Sequence, residues 1–319
     1  MSILTQSPAW RAREVIETTT NLPQLVVFGE ALTDFICEDD QRWRSAAGGS
    51  CWNVARVGAR LGVPAGFAGT VSQDGFGDEL MRLSAQAGLD ARFTRQVERP
   101  PFLSMVVSRH PPRYCFVGDN SADLAFDANA LPSGWLKAAQ IVHFGSLSLV
   151  RRPLAAHLLE IAQTAHAAGK RISFDPNYRT LMDGPAYRET LRKMAGLASY
   201  IKVSDEDLHG LFPEFDETAA LDQLREWAPH AALLVTRGAE GMQLHTAREV
   251  VFQPAFAARV TDTVGCGDAC VGAWMASMLI RPDAPLASHL RFSAACAAVV
   301  CAQQGAYAPT LDEVNALLD

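Results

Sequence analysis

Between residues 260 and 270 the chain reads Val-Thr-Asp-Thr-Val-Gly-Cys-Gly-Asp-Ala-Cys, and it runs straight into an apolar stretch, 271–280, that predicts a helix. Gly265, Cys266 and Gly267 are small enough for the backbone to curl tightly where that helix begins. The first amides of a helix have no intrahelical acceptor, and together with the helix dipole they make a site for an anion such as a transferring phosphoryl group. Asp268 falls in the first turn. A carboxylate beside such a pocket can take the proton of an attacking hydroxyl while the amides stabilise charge developing on the phosphoryl oxygens. The same residues also suit a plain tight turn with an acidic first-turn residue, so the turn alone leaves both readings open. The chain has no Gly-x-x-x-x-Gly-Lys-Ser/Thr loop, no Gly-x-Gly-x-x-Gly after its first apolar run and no His-Arg-Asp loop. A phosphate would therefore be held by some other device.

Such a turn needs elements to hold it. From residue 24 onward short apolar runs alternate with longer amphipathic ones: 25–28 then 51–61, 141–149 then 154–168, 172–174 then 187–197. That rhythm predicts strand, helix, strand. Runs such as 231–235 are apolar at every position, as strands covered by helices on both faces of a parallel sheet must be. The expectation is a doubly wound α/β core with a mostly parallel sheet. One region departs from it. Residues 102–108 and 114–117, on either side of Arg109-His110-Pro111-Pro112, predict a β-hairpin, and with residues 34–43 they suggest a small second sheet. Such a sheet, drawn from about 34–47 and 92–125, would serve as a lid that shuts water out of a transfer reaction; a surface hairpin without a role is the alternative. Residues 1–22 read as a loose polar extension and 23–319 as one α/β domain.

Composition limits the partners. Formal net charge is -7, and no cluster of Lys and Arg marks a surface for nucleic acid or an anionic membrane. No uncharged run approaches the roughly 20 residues a membrane helix needs. The seven cysteines lack any Cys-x-x-Cys or zinc spacing, which suggests a reducing cytoplasm. The eight histidines are not spaced to bind a metal, and His143 is expected to pack in a strand. A small-molecule substrate fits best.

The run from Asp262 to Asp268 closely resembles the Asp-Thr-x-Gly-Ala-Gly-Asp signature of the ribokinase-like (PfkB) carbohydrate kinases, with Cys266 where that family usually has Ala. A second signature of the family, a Gly-Gly pair followed by Asn on a small-residue helix, is similar to Gly48-Gly49-Ser50-Cys51-Trp52-Asn53-Val54-Ala55. The similarity runs from about Gln24 to the C-terminus. It implies a ribokinase-like α/β fold with a β lid, ATP and Mg²⁺ as cofactors, and the monovalent cation, such as K⁺, that members often bind near the Asp262 loop. Asp268 would be the general base, with Gly265, Cys266 and Gly267 completing the anion hole. Asp34, Gly48, Gly49, Asn53, Phe116 and Arg179 would meet the sugar. Lys202, Ser204, Thr236, Gly238, Gly241, Gly267 and Ala298 would line the nucleotide. In the stretch 202–207, Ser204 stands for the family's Asn and Asp207 for its Glu, and the residue holding Mg²⁺ through water is either Asp207 or Glu206. Lids of this kind often pair, which implies a homodimer.

Segments 116–126, 175–179 and 236–241 resemble bacterial fructokinases, which puts D-fructose first among substrates. Ribose, a nucleoside or 2-keto-3-deoxygluconate are the alternatives, the last needing a cation such as Arg179 or Arg113 for its carboxylate. Two readings of other classes compete: a non-catalytic sugar- or nucleotide-binding regulator, and a nicotinamide-dependent oxidoreductase. Retention of Asp268 and its turn opposes the first. The second is opposed by Gly29-Glu30-Ala31 after the first strand, where a glycine fingerprint would be needed.

Overall fold

All four residues of strand β1 (Leu25–Phe28) are buried, because the strand is covered on both sides. Val26 and Phe28 join one apolar cluster, while Leu25 and Val27 join the other. This is the alternation that a pleated strand imposes, with each face turned to its own layer of helices. In the computed structural model, which describes residues 22–39, 41–109 and 112–319, the strands after β1 follow in chain order. They are β2 (Leu32–Cys37), β3 (Trp43–Gly48), β4 (Ala65–Ser72), β5 (Thr94–Val97), β6 (Leu103–Arg109), β7 (Pro112–Val117), β8 (Ile141–Gly145), β9 (Arg171–Asp175), β10 (Tyr200–Ser204), β11 (Ala232–Thr236), β12 (Met242–His245) and β13 (Val250–Gln253). Residues 1–21 of the expected extension and His110-Pro111 of the expected hairpin turn lie outside the described residues. Leu22 belongs to the core of the α/β domain.

Nine strands form one sheet in the order β13-β12-β11-β10-β9-β8-β1-β4-β5. From β11 to β5 all neighbours are parallel, and β12 and β13 add an antiparallel edge. The helices Leu154–Ala167, Pro185–Leu197 and Glu217–Trp227 cover one face, and Ser50–Arg60, Cys266–Ile280 and Leu286–Cys301 the other. Phe28 and Phe144 stack within the first layer with centroids 5.3 Å apart. Removing one such buried ring costs about 3–5 kcal/mol. Among the described residues no helix is long and apolar enough to cross a membrane.

The second sheet has the order β3-β2-β6-β7, with β2 and β6 parallel and both outer pairs antiparallel. The expected lid is thus present but narrower than the span 92–125: β5 pairs with β4 in the large sheet instead. The expected strand 141–149 is likewise shorter. It ends at Gly145, after which the chain enters a 3-10 turn, Ser146–Leu149, whose Ser148 amide donates to Glu30 Oε2 at 3.0 Å.

Candidate active site

The helix Cys266–Ile280 starts from Gly265, which has φ 81°, and no side chain caps it. That left-handed conformation favours glycine. A Cβ there would also lie 2.8 Å from Ala306 Cα, so the 302–310 loop seats directly against the turn. The Cys266 amide donates to Thr263 O at 3.2 Å and the Ala269 amide to Gly265 O at 2.8 Å. Among the described residues the amides of Gly265, Gly267 and Asp268 have no acceptor. The expected anion hole therefore has one donor fewer than its full turn, because the Cys266 amide closes the turn itself.

Asp268, 9% exposed, lies in a fork of two donors from the helix Ser50–Arg60. Ser50 Oγ donates to its Oδ1 at 2.6 Å and Asn53 Nδ2 to its Oδ2 at 2.8 Å. Gly49 is the N-cap of that helix, and Ser50 and Asn53 lie one turn apart on one face of it. Ser50 carries no signal of its own in the sequence; only the structure brings it to Asp268.

The lid adds a row of side chains. Across its four strands Ala46, Asp34, Ser104 and Phe116 are register partners, so their side chains share one face. Burial raises Asp34 to about 6 against hydrogen bonding from Ser104 and the positive field of Arg179, and the charge of Asp268 adds to the rise. A Cβ on Gly48 would sit 2.5 Å from Asp34 Oδ2, so only glycine leaves that carboxylate its place. Phe116 stacks on Tyr114 with centroids 6.0 Å apart, and the Arg179 guanidinium lies 5.3 Å from the Tyr114 ring. Arg179 also donates to Asn177 Oδ1 at 2.9 Å, and its contact with Tyr114 links the segment after β9 to the lid.

A buried ionic group adjoins the turn. Lys202 Nζ lies 3.3 Å from Asp175 Oδ2 and 3.5 Å from Asp207 Oδ2, and 3.3 Å from where a Cβ on Gly267 would be. Burial opposes the charge on Lys202, but Asp175, Asp207 and Asp268 outweigh it and raise its pKa, so the ammonium persists. Against burial, Lys202, Ser204 and the Tyr178 amide hold Asp207 below the usual carboxylate range. Asp207 Oδ1 accepts from the Tyr178 amide at 2.8 Å and Oδ2 from the Ser204 amide at 2.8 Å, so Ser204 and Asp207 form a capping box. Asp175 is raised by burial to about 7; its Oδ2 faces Lys202 as an ion pair without an aligned hydrogen bond. Glu206 is exposed in the same first helical turn.

The remaining expected positions lie apart from the Asp268 fork. Thr236, at the end of β11, is the register partner of Ser204, and Gly238 and Gly241 form the turn into β12. Ala298 is buried on the helix Leu286–Cys301, which packs on β12 and β13. Asp262 accepts from the Val264 amide at 3.1 Å and from the Gly305 amide at 3.1 Å, which fastens two loops together. Among the described residues no group of three or more His, Cys, Asp or Glu is placed to hold a metal.

Comparisons with known proteins agree with this fold. The model of the pfkB family carbohydrate kinases matches residues 22–313. A fructokinase of Klebsiella pneumoniae is 31% identical over 289 residues, spanning 88% of this chain and 94% of that protein. A crystal structure of fructokinase with bound ATP from Xylella fastidiosa superposes with a TM-score of 0.85 at 31% identity, covering 93% of this chain and 98% of that one. An aminoimidazole riboside kinase from Salmonella enterica superposes with a TM-score of 0.81 at 28% identity, covering 92% and 99%. The chain belongs to the pfkB family of carbohydrate kinases.

Proposed function

We propose that this chain is an ATP-dependent sugar kinase whose acceptor is free D-fructose and whose general base is Asp268. The observation that carries the reading is a buried carboxylate, fixed by Ser50 and Asn53, on the helical turn whose Gly267 and Asp268 amides have no acceptor. Likeness to fructokinases at 31% identity supports fructose over ribose or a nucleoside.

In this scheme Asp34 accepts hydrogen bonds from sugar hydroxyls, and Gly48, Gly49, Asn53, Phe116 and Arg179 complete the sugar side. Asp268 takes the proton of one hydroxyl, that oxygen bonds to the γ-phosphorus, and the bond from γ-phosphorus to the β–γ bridging oxygen breaks to release ADP. Amides of Gly265, Gly267 and Asp268 stabilise the transferring group, and the Lys202 ammonium adds positive charge beside them. Cys266 contributes its small size and the turn-closing amide. Ser204, Thr236, Gly238, Gly241 and Ala298 line the nucleotide side.

Both Asp207 oxygens already accept backbone amides, so this carboxylate suits a hold on Mg²⁺ through water, with exposed Glu206 as the other donor. Bound Mg²⁺ would neutralise phosphate charge. Because the Asp262 carboxylate accepts two amides, it shapes its loop, and any K⁺ there would rest on backbone carbonyls. Exposed Trp43, Val107 and Val117 on the lid support pairing of two copies through it; sedimentation should read a dimer, and a monomer at assay concentration would refute that.

The test of the chemistry is Asp268→Asn. General bases contribute about 10²–10⁴-fold, so ADP release with fructose should fall by at least about a hundredfold while ATP still binds. Turnover within a few fold of wild type would remove Asp268 from the mechanism. Ribose, a nucleoside and 2-keto-3-deoxygluconate run beside fructose decide the acceptor.

A further inference from the structure

Cys266 opens the helix that carries the anion turn, and Cys301 closes the helix Leu286–Cys301. The two thiols are neighbours that influence one another electrostatically, both free and both only partly buried. The backbone joins them as well: the amides of Thr261 and Asp262 donate to Cys301 O at 2.8 and 3.3 Å, and Thr263 O accepts from the Cys266 amide at 3.2 Å. One thiol therefore belongs to the turn and the other to the carbonyl that anchors the loop leading into it. Elsewhere, Cys51, Cys270 and Cys296 are buried, and Cys37 and Cys115 lie on the lid strands β2 and β7.

We propose that Cys266 and Cys301 form a peroxide-sensitive modification site, in which an intramolecular disulfide disables the anion turn reversibly. The Cys301 thiolate attacks a hydroperoxide oxygen; the O–O bond breaks, hydroxide leaves, and Cys301 becomes a sulfenic acid. Cys266 then attacks that sulfur, an S–S bond forms, and the sulfenic oxygen leaves as water with the Cys266 proton. Two thiols are oxidised by two electrons, and one hydrogen peroxide is reduced to two waters.

The bond requires the sulfurs to close to about 2.05 Å. That closure acts on the first residue of the helix, whose next two amides are the unclaimed donors. Burial, then the neighbouring Cys301 thiol and the charges of Asp268 and Asp262, push the Cys266 thiol up, which disfavours Cys266 as the attacking thiolate. A soft, partly exposed pair at the phosphoryl site is thus silent under reducing conditions and closes only when peroxide is present.

The site itself does not depend on the kinase reading, but the activity readout does. The experiment treats the full-length protein with hydrogen peroxide, blocks free thiols, and maps peptides without reduction, in parallel with ADP release on fructose. The expected result is a Cys266–Cys301 cross-linked peptide, two hydrogens lighter than the reduced pair. Activity should fall by about tenfold or more, since one lost oxyanion donor alone costs about 10²–10³, and dithiothreitol should restore it. Cys301→Ser, outside the catalytic machinery, should keep basal turnover and give neither the cross-link nor the dithiothreitol-reversible loss. Absence of the cross-link in the wild-type protein, a cross-linked protein that turns over normally, or a Cys301→Ser variant inhibited as reversibly as wild type each overturns the proposal. Cross-linking in a protein that never phosphorylates fructose would sink the fructose reading and leave the thiol site standing.

Discussion

In the proposed scheme Asp34 and Asp268 divide the acid chemistry between them: Asp268 is fixed by two side-chain donors, and Asp34 is raised by burial in the lid to about 6. An acceptor of sugar hydroxyls must be ionised, so the fraction of competent Asp34 falls as pH drops through about 6. Fructose KM should therefore rise about tenfold per pH unit below that value while KM for ATP stays nearly flat. Asp34→Asn should abolish the pH dependence and bind fructose weakly at every pH; a fructose KM that stays constant between pH 5 and 7 would break this assignment. Asp268, Asn53 and the Gly48-Gly49 pair were readable as residues because each lies within a short local pattern. Ser50 was not, since its contact depends on where a helix begins. Asp175 as the partner of Lys202 was not either. That pair needs β9 and β10 in a particular register, with Ser173 beside Tyr200 and Phe174 beside Ile201, which carries Asp175 alongside Lys202.

The helix start at Gly265 is the element on which most depends. Gly265→Ala would force a side chain into φ 81° and onto Ala306 at 2.8 Å. A non-glycine residue held there costs on the order of 1–3 kcal/mol, and relief would come by moving the turn. The expected outcome is a modest fall in Tm with a loss of kcat far larger than that fall would explain, at nearly unchanged fructose KM. An unchanged kcat would mean that the turn does not hold the transferring group. Elements were legible where pattern and burial agree. The mainly apolar runs at 25–28, 141–149 and 231–235 became strands of the large sheet, and the hairpin without a helix became half of the lid sheet. β5 escaped because Thr-Arg-Gln-Val is a half-exposed edge strand with a single buried residue, so its partner β4 decides its sheet and its own pattern does not.

Across the whole molecule, buried acids at the carboxyl ends of the strands set an opposition between stability and pH. Glu30, buried after β1, is raised from 4.5 to about 7 by burial, against hydrogen bonds from its own backbone, Ser148 and Ser146. Its Oε1 has no partner among the described residues. A folded-state value above the unfolded one means that the fold binds the proton more tightly. The stabilisation is complete below about 4.5 and is lost as pH rises through about 7. The size is on the order of 3 kcal/mol, from about 1.4 kcal/mol per pKa unit. His143 works in the other direction: burial lowers it to about 3, so stability is lost as pH falls below 6.5 and the unfolded chain takes up the proton. Glu30→Gln separates the two, because the amide mimics the protonated acid at every pH while His143 is unchanged. The variant should melt higher than wild type above pH 7, and the difference should shrink towards zero as pH approaches 4.5. A difference in Tm that holds constant from pH 4.5 to pH 8 would show that Glu30 is accommodated as a charge.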